Sequence, residues 1–202
     1  MAEYYFDIEI GYEGDSYENF IRGEGLLHPN ICKIITIQFQ RLDRNGEPEE
    51  PLRVLKEWEM GEEGIIREFT KFLNPEKIYN TRKVWEFIPV GYNLMFDLGM
   101  LRGRARRYGI EYDEWCIMNN LPRIDLKDIC LGMNGFKFSG SGLDKFCGKP
   151  PNGELVPVWY LNKQYGRIIE YVEREAEEFI SLYYKLREAL PKLRGENGFY
   201  SQ

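Results

Sequence analysis

The chain has almost no histidine: His28 stands alone in 202 residues. Its four cysteines (Cys32, Cys116, Cys130, Cys147) are scattered and form no C-x-x-C pair, so neither a zinc site nor a disulfide framework is suggested. They are expected to be buried free thiols. No apolar run is long enough to span a bilayer, and the N-terminus lacks a basic segment followed by an apolar one. A cytoplasmic protein without a membrane partner is expected. The GEG near residue 24 is followed by no GK[ST], which removes a phosphate-binding loop. Positive charge is also short. A net charge of −6 argues against coating duplex DNA by bulk electrostatics. It leaves room for an enzyme that handles one strand end locally, because bound metal can supply the missing charge. Glutamine is scarce while Glu, Lys and Arg abound, a balance that leans towards a thermophile. No repeat, low-complexity tract or linker interrupts the sequence, so residues 1–202 are expected to form one domain with its own core. Whether copies of the chain associate as a homo-oligomer is left open.

What is present reads as an α/β domain. YYFDIEI alternates as a strand, and Ile31 to Phe39 is β-branched and apolar almost throughout, as a central strand should be. RNGEPEEP is a turn and PLRVLKEWE a third strand. EEGIIREFTKFLNP carries Ile65 or Ile66, Phe69, Phe72 and Leu73 at helical spacing, with acids at its start and Pro after its end. FIPVGY is a short strand, and LMFDLGMLRGRARRYG a helix stopped by Gly109. IDLKDICLGM and SGLDKFCG read as short helical pieces. From Ile168 to Leu190 the residues Val172, Ala176, Phe179, Tyr183, Leu186 and Leu190 recur at intervals of three and four. The order predicts a mixed β-sheet flanked by α-helices.

The first strand poses a problem. Asp7 and Glu9 share one face, about 7 Å apart, while Phe6 and Ile8 pack on the other. Taken alone, a D-x-E is better read as two solvated charges on a half-exposed strand. Two later segments offer partners. Asn93 closes the fourth strand and could cap the next helix, while Asp97 lies in that helix's first turns beside its dipole. In the last helix Tyr171 and Glu175 are four residues apart on one side. At ~100° per residue, Glu175 falls roughly 60° from the centre of the apolar stripe, at the border of core and solvent. Glu178 sits about twice as far out and reads as a solvated charge. A glutamate at the buried edge needs compensation, and a metal ion would supply it. Four carboxylates without a nearby histidine suit hard divalent cations, Mg²⁺ or Mn²⁺, rather than zinc. Paired ions of this kind clamp the attacking and leaving oxygens of phosphodiester hydrolysis.

Read together, FDIEI, then V-G-Y-N-x-x-F-D from Val90 to Asp97, then Y-x-x-x-E-A-x-x-x-x-x-L-Y from Tyr171 to Tyr183 form a pattern. It resembles the DEDD superfamily of 3′–5′ exonucleases, which have a ribonuclease-H-like fold. Within it, the chain is most similar to the proofreading domain of family-B DNA polymerases and its stand-alone archaeal relatives. The ITIQF strand and the SGSGLDKF segment also fall where that family has counterparts. The resemblance implies two metal ions, with Asp7 bridging both, Glu9 and Glu175 completing the site of the ion that activates water, and Asp97 helping to hold the second. It implies that Tyr171 orients the attacking water, and that Ile10, Asn93 and Phe96 contact the substrate. The family's other branch uses a histidine where this chain has Glu170, so only the tyrosine branch is open. Two positions depart from the pattern. Ile10 stands where the family usually has Thr, a residue that helps seat the terminal nucleotide. Glu175 stands where the last acid is usually Asp, and its extra methylene moves the carboxylate by about 1.5 Å.

The expected activity is therefore metal-dependent 3′–5′ exonucleolysis of a single strand, releasing nucleoside 5′-monophosphates, with DNA favoured over RNA. The alternatives are an exoribonuclease that trims RNA 3′ ends and an inactive exonuclease-like binding module. Two further features are ambiguous. RGRARR (Arg102, Arg104, Arg106, Arg107) is either a solvated helix face or a track for phosphates. Phe136 and Phe138 flank Lys137 and read as core anchors, with stacking on single-stranded bases the alternative.

Overall fold

A computed structural model describes residues 2–13, 27–73, 86–111, 118–119 and 121–196. Five strands, β1 (Glu3–Tyr12), β2 (Cys32–Leu42), β3 (Arg53–Lys56), β4 (Ile88–Gly91) and β5 (Ile124–Asp125), form one sheet in the order β3-β2-β1-β4-β5. The β1–β2 and β2–β3 pairs are antiparallel, while β1–β4 and β4–β5 are parallel. The described α-helices flanking this mixed sheet are α1 (Glu57–Thr70), α2 (Leu94–Arg107), α3 (Leu126–Met133), α4 (Val156–Leu161) and α5 (Tyr165–Glu196). The α/β class expected from the element order is the one observed, and the arrangement is ribonuclease-H-like.

Period-two alternation decides what each face of β1 meets. Phe6 and Ile8 enter a core with Phe69 of α1 and Leu98 and Leu101 of α2, and the Phe6 ring stacks on Phe69 at 5.0 Å. Tyr5, on the opposite face, packs with Val90, Leu126 of α3 and Phe179 of α5. Ile35 of β2 meets Val156 of α4 and Ile168 and Val172 of α5. Each such side chain contributes roughly 1.5–3 kcal/mol by leaving water. The sheet is thus covered on both sides, and β1 is not the half-exposed strand that its alternation suggests in isolation. Its acids lie beneath α5.

Several elements depart from the sequence reading for local reasons. The third strand is only Arg53–Lys56; Glu57 already begins α1, where Glu57 and Glu59 favour the positive end of the helix dipole. Gly61, at φ 74°, breaks the helix after its first turn, a conformation that costs glycine little. Ile124 and Asp125, expected at the start of a helix, instead pair with Val90 and Gly91 as an edge strand. SGLDKFCG keeps only one 3₁₀ turn, Leu143–Lys145. Helix α5 extends beyond the expected span at both ends, and Leu190, read as part of its apolar stripe, is exposed. Cys32 and Cys130 are buried free thiols, Cys147 is half-buried, and Cys116 lies outside the described residues. Among the described residues no helix is long and apolar enough to cross a membrane.

Arg104 overturns the expectation of a uniformly solvated or phosphate-tracking RGRARR. Its side chain is fully buried. The guanidinium donates to both oxygens of Glu62, to Glu13 at 2.6 Å and to the Pro29 carbonyl at 2.8 Å. Glu62 in turn accepts from the Ile34 amide and the Tyr108 hydroxyl, each at 2.7 Å. One buried ion pair therefore joins α1, α2, β2 and the end of β1. Arg107 is also engaged, donating to Glu13 at 2.7 Å. Truncating one member of such a pair strands the other charge, which typically costs about 3–5 kcal/mol. Arg104→Met should lower unfolding free energy by about that much in urea titrations. A loss below about 1 kcal/mol would show that the pair is not a structural tie.

Candidate metal centre and its cleft

The face of β1 that carries Tyr5 also carries Asp7 and Glu9. Antiparallel register sets Gln38 opposite Asp7 and Thr36 opposite Glu9, and a bulge follows between Glu9 and Ile10. Helix α5 brings Glu175 over this face. Asp7, Glu9 and Glu175 each offer one carboxylate oxygen, and these oxygens lie within 4.8 Å of one another. Asp97, in the first turn of α2, is 3% exposed and lies near enough to feel the charges of Asp7, Glu9 and Glu175. It does not belong to the three-oxygen cluster.

The charge balance of this cluster is strained. Burial, then the Glu175 carboxylate, push the Asp7 carboxyl up to about 7, against the opposing pull of Lys149 and of the Gln38 hydrogen bond. Burial and the neighbouring Asp7 and Glu175 raise Glu9, and burial with Asp7 and Glu9 raises Asp97. The site therefore favours protons over bare charge unless another cation arrives. Lys149 is one such cation: its ammonium bonds the Glu175 Oε1 and is drawn to Asp7 and Glu9 as well. Polar groups remain unpartnered all the same. Buried oxygens without a hydrogen-bond partner include Asp97 Oδ2, Glu175 Oε2, Gln38 Oε1, Thr36 Oγ1 and the Tyr5 hydroxyl. Unsatisfied buried oxygens in an all-oxygen donor set are what a hard divalent ion would complete. The oxygen donors present fit a hard divalent cation.

Tyr171, one turn before Glu175, is buried with its hydroxyl closely facing the Cα of Gly153, where any larger side chain would collide with it. Trp159 of α4 meets the Tyr171 ring edge-on at 6.1 Å. Burial first, then Glu175 and Glu9, drive the Tyr171 hydroxyl far above its ordinary titration range, so it keeps its proton and can donate it in a hydrogen bond.

A cleft of about 830 Å³ gathers most of the sequence-derived site residues: Asp7, Glu9, Asn93, Phe96, Asp97, Tyr171 and Glu175 all line it. Ile10 does not. By strand parity it shares the side of Phe6 and Ile8, and it packs against their core. Asn93 is not the cap it was expected to be. It takes φ 66° with no side-chain cap bond, and its Oδ1 accepts from Lys127 Nζ at 2.9 Å. The cap comes from Asp125 of β5, whose carboxylate accepts from the Asn93 and Leu94 amides at 2.8 Å and from Lys127 N at 3.0 Å. Phe136 and Phe138 are 77% exposed, so neither anchors the core, and Phe138 stands at the cleft's mouth. Glu178 is half-buried rather than fully solvated, and its carboxylate accepts from the Gly148 amide at 3.1 Å. It braces the loop that delivers Lys149 without entering the acid cluster. Sequence reasoning missed Lys149 and Gln38, whose Nε2 donates to Asp7 Oδ2 at 2.9 Å. Gln38 could have been found from strand pairing with Asp7, whereas no local signal marks Lys149.

No protein-family model matches the chain, and no curated protein matches it in sequence. Solved structures do. A family B DNA polymerase from the hyperthermophilic archaeon Pyrobaculum calidifontis is similar at TM-score 0.59 and 18% identity, over 95% of this chain and 25% of the polymerase. E. coli exonuclease I in complex with a dT13 oligonucleotide is similar at TM-score 0.52 and 13% identity, over 96% of this chain and 42% of the exonuclease. The chain thus spans a quarter of one relative and under half of the other. At these identities what is shared is the fold: nearly the whole chain adopts an architecture found in a family B DNA polymerase and in exonuclease I.

Proposed function

We propose that the chain is a metal-dependent 3′–5′ exonuclease that hydrolyses single strands, DNA in preference to RNA, to nucleoside 5′-monophosphates. The observation that carries this reading is the meeting of Asp7, Glu9 and Glu175 within 4.8 Å beneath Tyr171, with Asp97 near enough to feel their charges and oxygens left unsatisfied. The fold shared with exonuclease I and with the polymerase supports it. Asp7, Glu9, Glu175 and Asp97 would hold two Mg²⁺ or Mn²⁺ ions, which supply a clamp on the attacking and leaving oxygens and make water a better nucleophile. The chain's own residues do the positioning. Gln38 donates to one oxygen of Asp7 and so fixes the orientation of the carboxylate. The protonated Tyr171 hydroxyl orients the attacking water. Lys149 brings positive charge to a wall that would otherwise repel a phosphate. Asn93 and Phe96, on the opposite wall, seat the terminal nucleotide.

End-labelled DNA and RNA oligonucleotides incubated with Mg²⁺, Mn²⁺ or EDTA test the reading directly. Shortening from the 3′ end should require metal, proceed faster on DNA, and vanish in Asp7→Ala. Undiminished hydrolysis in EDTA, or by Asp7→Ala, would sink it. Tyr171→Phe should slow turnover by ~10²–10⁴ while strand binding stays nearly constant. Poor binding with normal turnover would reassign Tyr171 to packing.

Glu175→Gln should cripple hydrolysis. Glu178→Gln should be nearly silent, since its amide oxygen can still accept from Gly148. The reverse outcome would place the fourth carboxylate one helical turn away.

The acids also link metal, protons and stability. Asp7 lies at about 7 when folded, against 3.8 for an ordinary aspartate. The metal-free fold therefore binds more protons than the unfolded chain between those values, and the site's share of stability falls as pH rises through them. Asp7→Asn should melt higher than wild type at pH 8 without metal, and this advantage should shrink towards pH 4. Saturating Mn²⁺ should raise the wild-type melting temperature by roughly 5–10 °C at pH 8 and by less at pH 5, where protons compete. An equal Mn²⁺ shift in wild type and Asp7→Asn would place the ion elsewhere.

A further inference from the structure

A second, smaller pocket of about 250 Å³ opens beside the acidic cleft. The two share a wall, because Pro150, Pro151, Asn152 and Tyr171 line both. Beyond that wall stand Trp159 of α4 and, from α5, Arg167, Glu170 and Arg174. Residues 167, 171 and 174 are four and three positions apart, so the two arginines lie on the same helical face as Tyr171. The indole of Trp159 is half-buried, set edge-on to the Tyr171 ring, and lines the pocket.

Arg41, Arg67, Arg104, Arg107 and Arg187 are tied to carboxylates, whereas Arg53 lies over the Phe39 and Phe72 rings and Arg123 donates to the Met118 carbonyl. Arg167 and Arg174 are exposed, and among the described residues their side chains make no ion pair or hydrogen bond, although Glu170 stands between them on the helix. In a chain of net charge −6, two guanidinium groups against the single carboxylate of Glu170 sit directly outside a cleft lined by carboxylates. A neutral or cationic ligand gains nothing from that arrangement. An anionic polymer that must pass the acids gains a counter-charge at the point where it leaves them. A planar aromatic wall beside the cations adds a surface on which any base can stack. Paired prolines, whose φ is fixed, keep the shared wall stiff.

We propose that Trp159, Arg167 and Arg174 form a subsite for an internal nucleotide of a single strand whose 3′ end lies in the acidic cleft. The guanidinium groups take backbone phosphates and the indole takes a base, without reading sequence. This rests on the exonuclease reading for what occupies the cleft, but the subsite binds a strand whether or not the cleft hydrolyses it.

The test uses Arg167→Gln/Arg174→Gln, both exposed positions, with an unchanged melting temperature as the check on folding. Binding of 5′-fluorescein-labelled dT12 is followed by anisotropy across a salt series, with Ca²⁺ in place of Mn²⁺. The double variant should bind at least tenfold more weakly, and its salt slope should fall by about 1.4, the value for two phosphate contacts on a single strand. Trp159→Ala should weaken binding about tenfold without changing the slope, as stacking requires. Hydrolysis with Mn²⁺ is then compared on dT12 and on the p-nitrophenyl ester of thymidine 5′-monophosphate, which is too short to reach the pocket. The double variant's loss on dT12 should exceed its loss on the ester tenfold or more. Wild-type binding of dT12 that the double variant matches overturns the subsite and leaves the exonuclease reading standing. Arginine-dependent binding with no hydrolysis of either substrate keeps the subsite and removes the exonuclease reading. A wild type that does not bind dT12 removes both.

Discussion

Repulsion among Asp7, Glu9, Asp97 and Glu175 is the constraint around which this fold is arranged. Left to solvent, these carboxylates would separate. Here each is fixed by an element that cannot move alone. Asp7 and Glu9 ride the central strand, which pairs with β2 along its length and with β4 up to Tyr5, and is covered on both faces. Glu175 is held by a helix whose apolar stripe is committed to Tyr5 and Val90. Asp97 is locked in the first turn of a helix whose inner face is buried. The crowding is offset locally by Lys149, by Gln38 and by retained protons. Folding free energy from two hydrophobic layers thus holds together a group of charges that would not assemble on its own.

Two polar ties make that possible away from the site. The Arg104–Glu62 pair locks the outer layer of helices to β2, so the sheet cannot slide beneath α2. Asp125 then fixes the near end of α2 by capping its first amides from the edge strand. A single carboxylate serves two helices there, since it also caps α3. The placement of Asp97 therefore depends on a two-residue strand whose own hydrogen bonds are few.

Features that obey a short period were legible in the residue pattern alone. The alternation of β1 and the three-four spacing of α5 assign Asp7, Glu9, Tyr171 and Glu175 to definite faces of their elements. The mixed sheet follows from the order of elements. Features that were not legible depend on partners distant in the chain. Arg104 looks like one cation in a basic string and is buried only because Glu62, 42 residues earlier, meets it. Ile124–Asp125 has too few residues to announce a strand, and its pairing is decided by β4. Phe136 and Phe138 have the composition of core residues but occupy a turn with no core beneath them. Lys149 comes from an irregular loop, where no period exists to place a side chain.

The loop that carries Lys149 is pinned on either side. Glu178 holds the Gly148 amide, and the Tyr92 hydroxyl holds the Ser141 carbonyl further back. The ammonium is consequently a resident of the acid cluster, tethered at high effective concentration, rather than a visitor to it. Any cation that comes to Glu175 Oε1 competes with it. Occupation of the cluster is then an exchange of one positive charge for another, with an apparent affinity set by the difference between the two. With Lys149 in place the cluster is already partly neutralised, which lets its acids stay gathered.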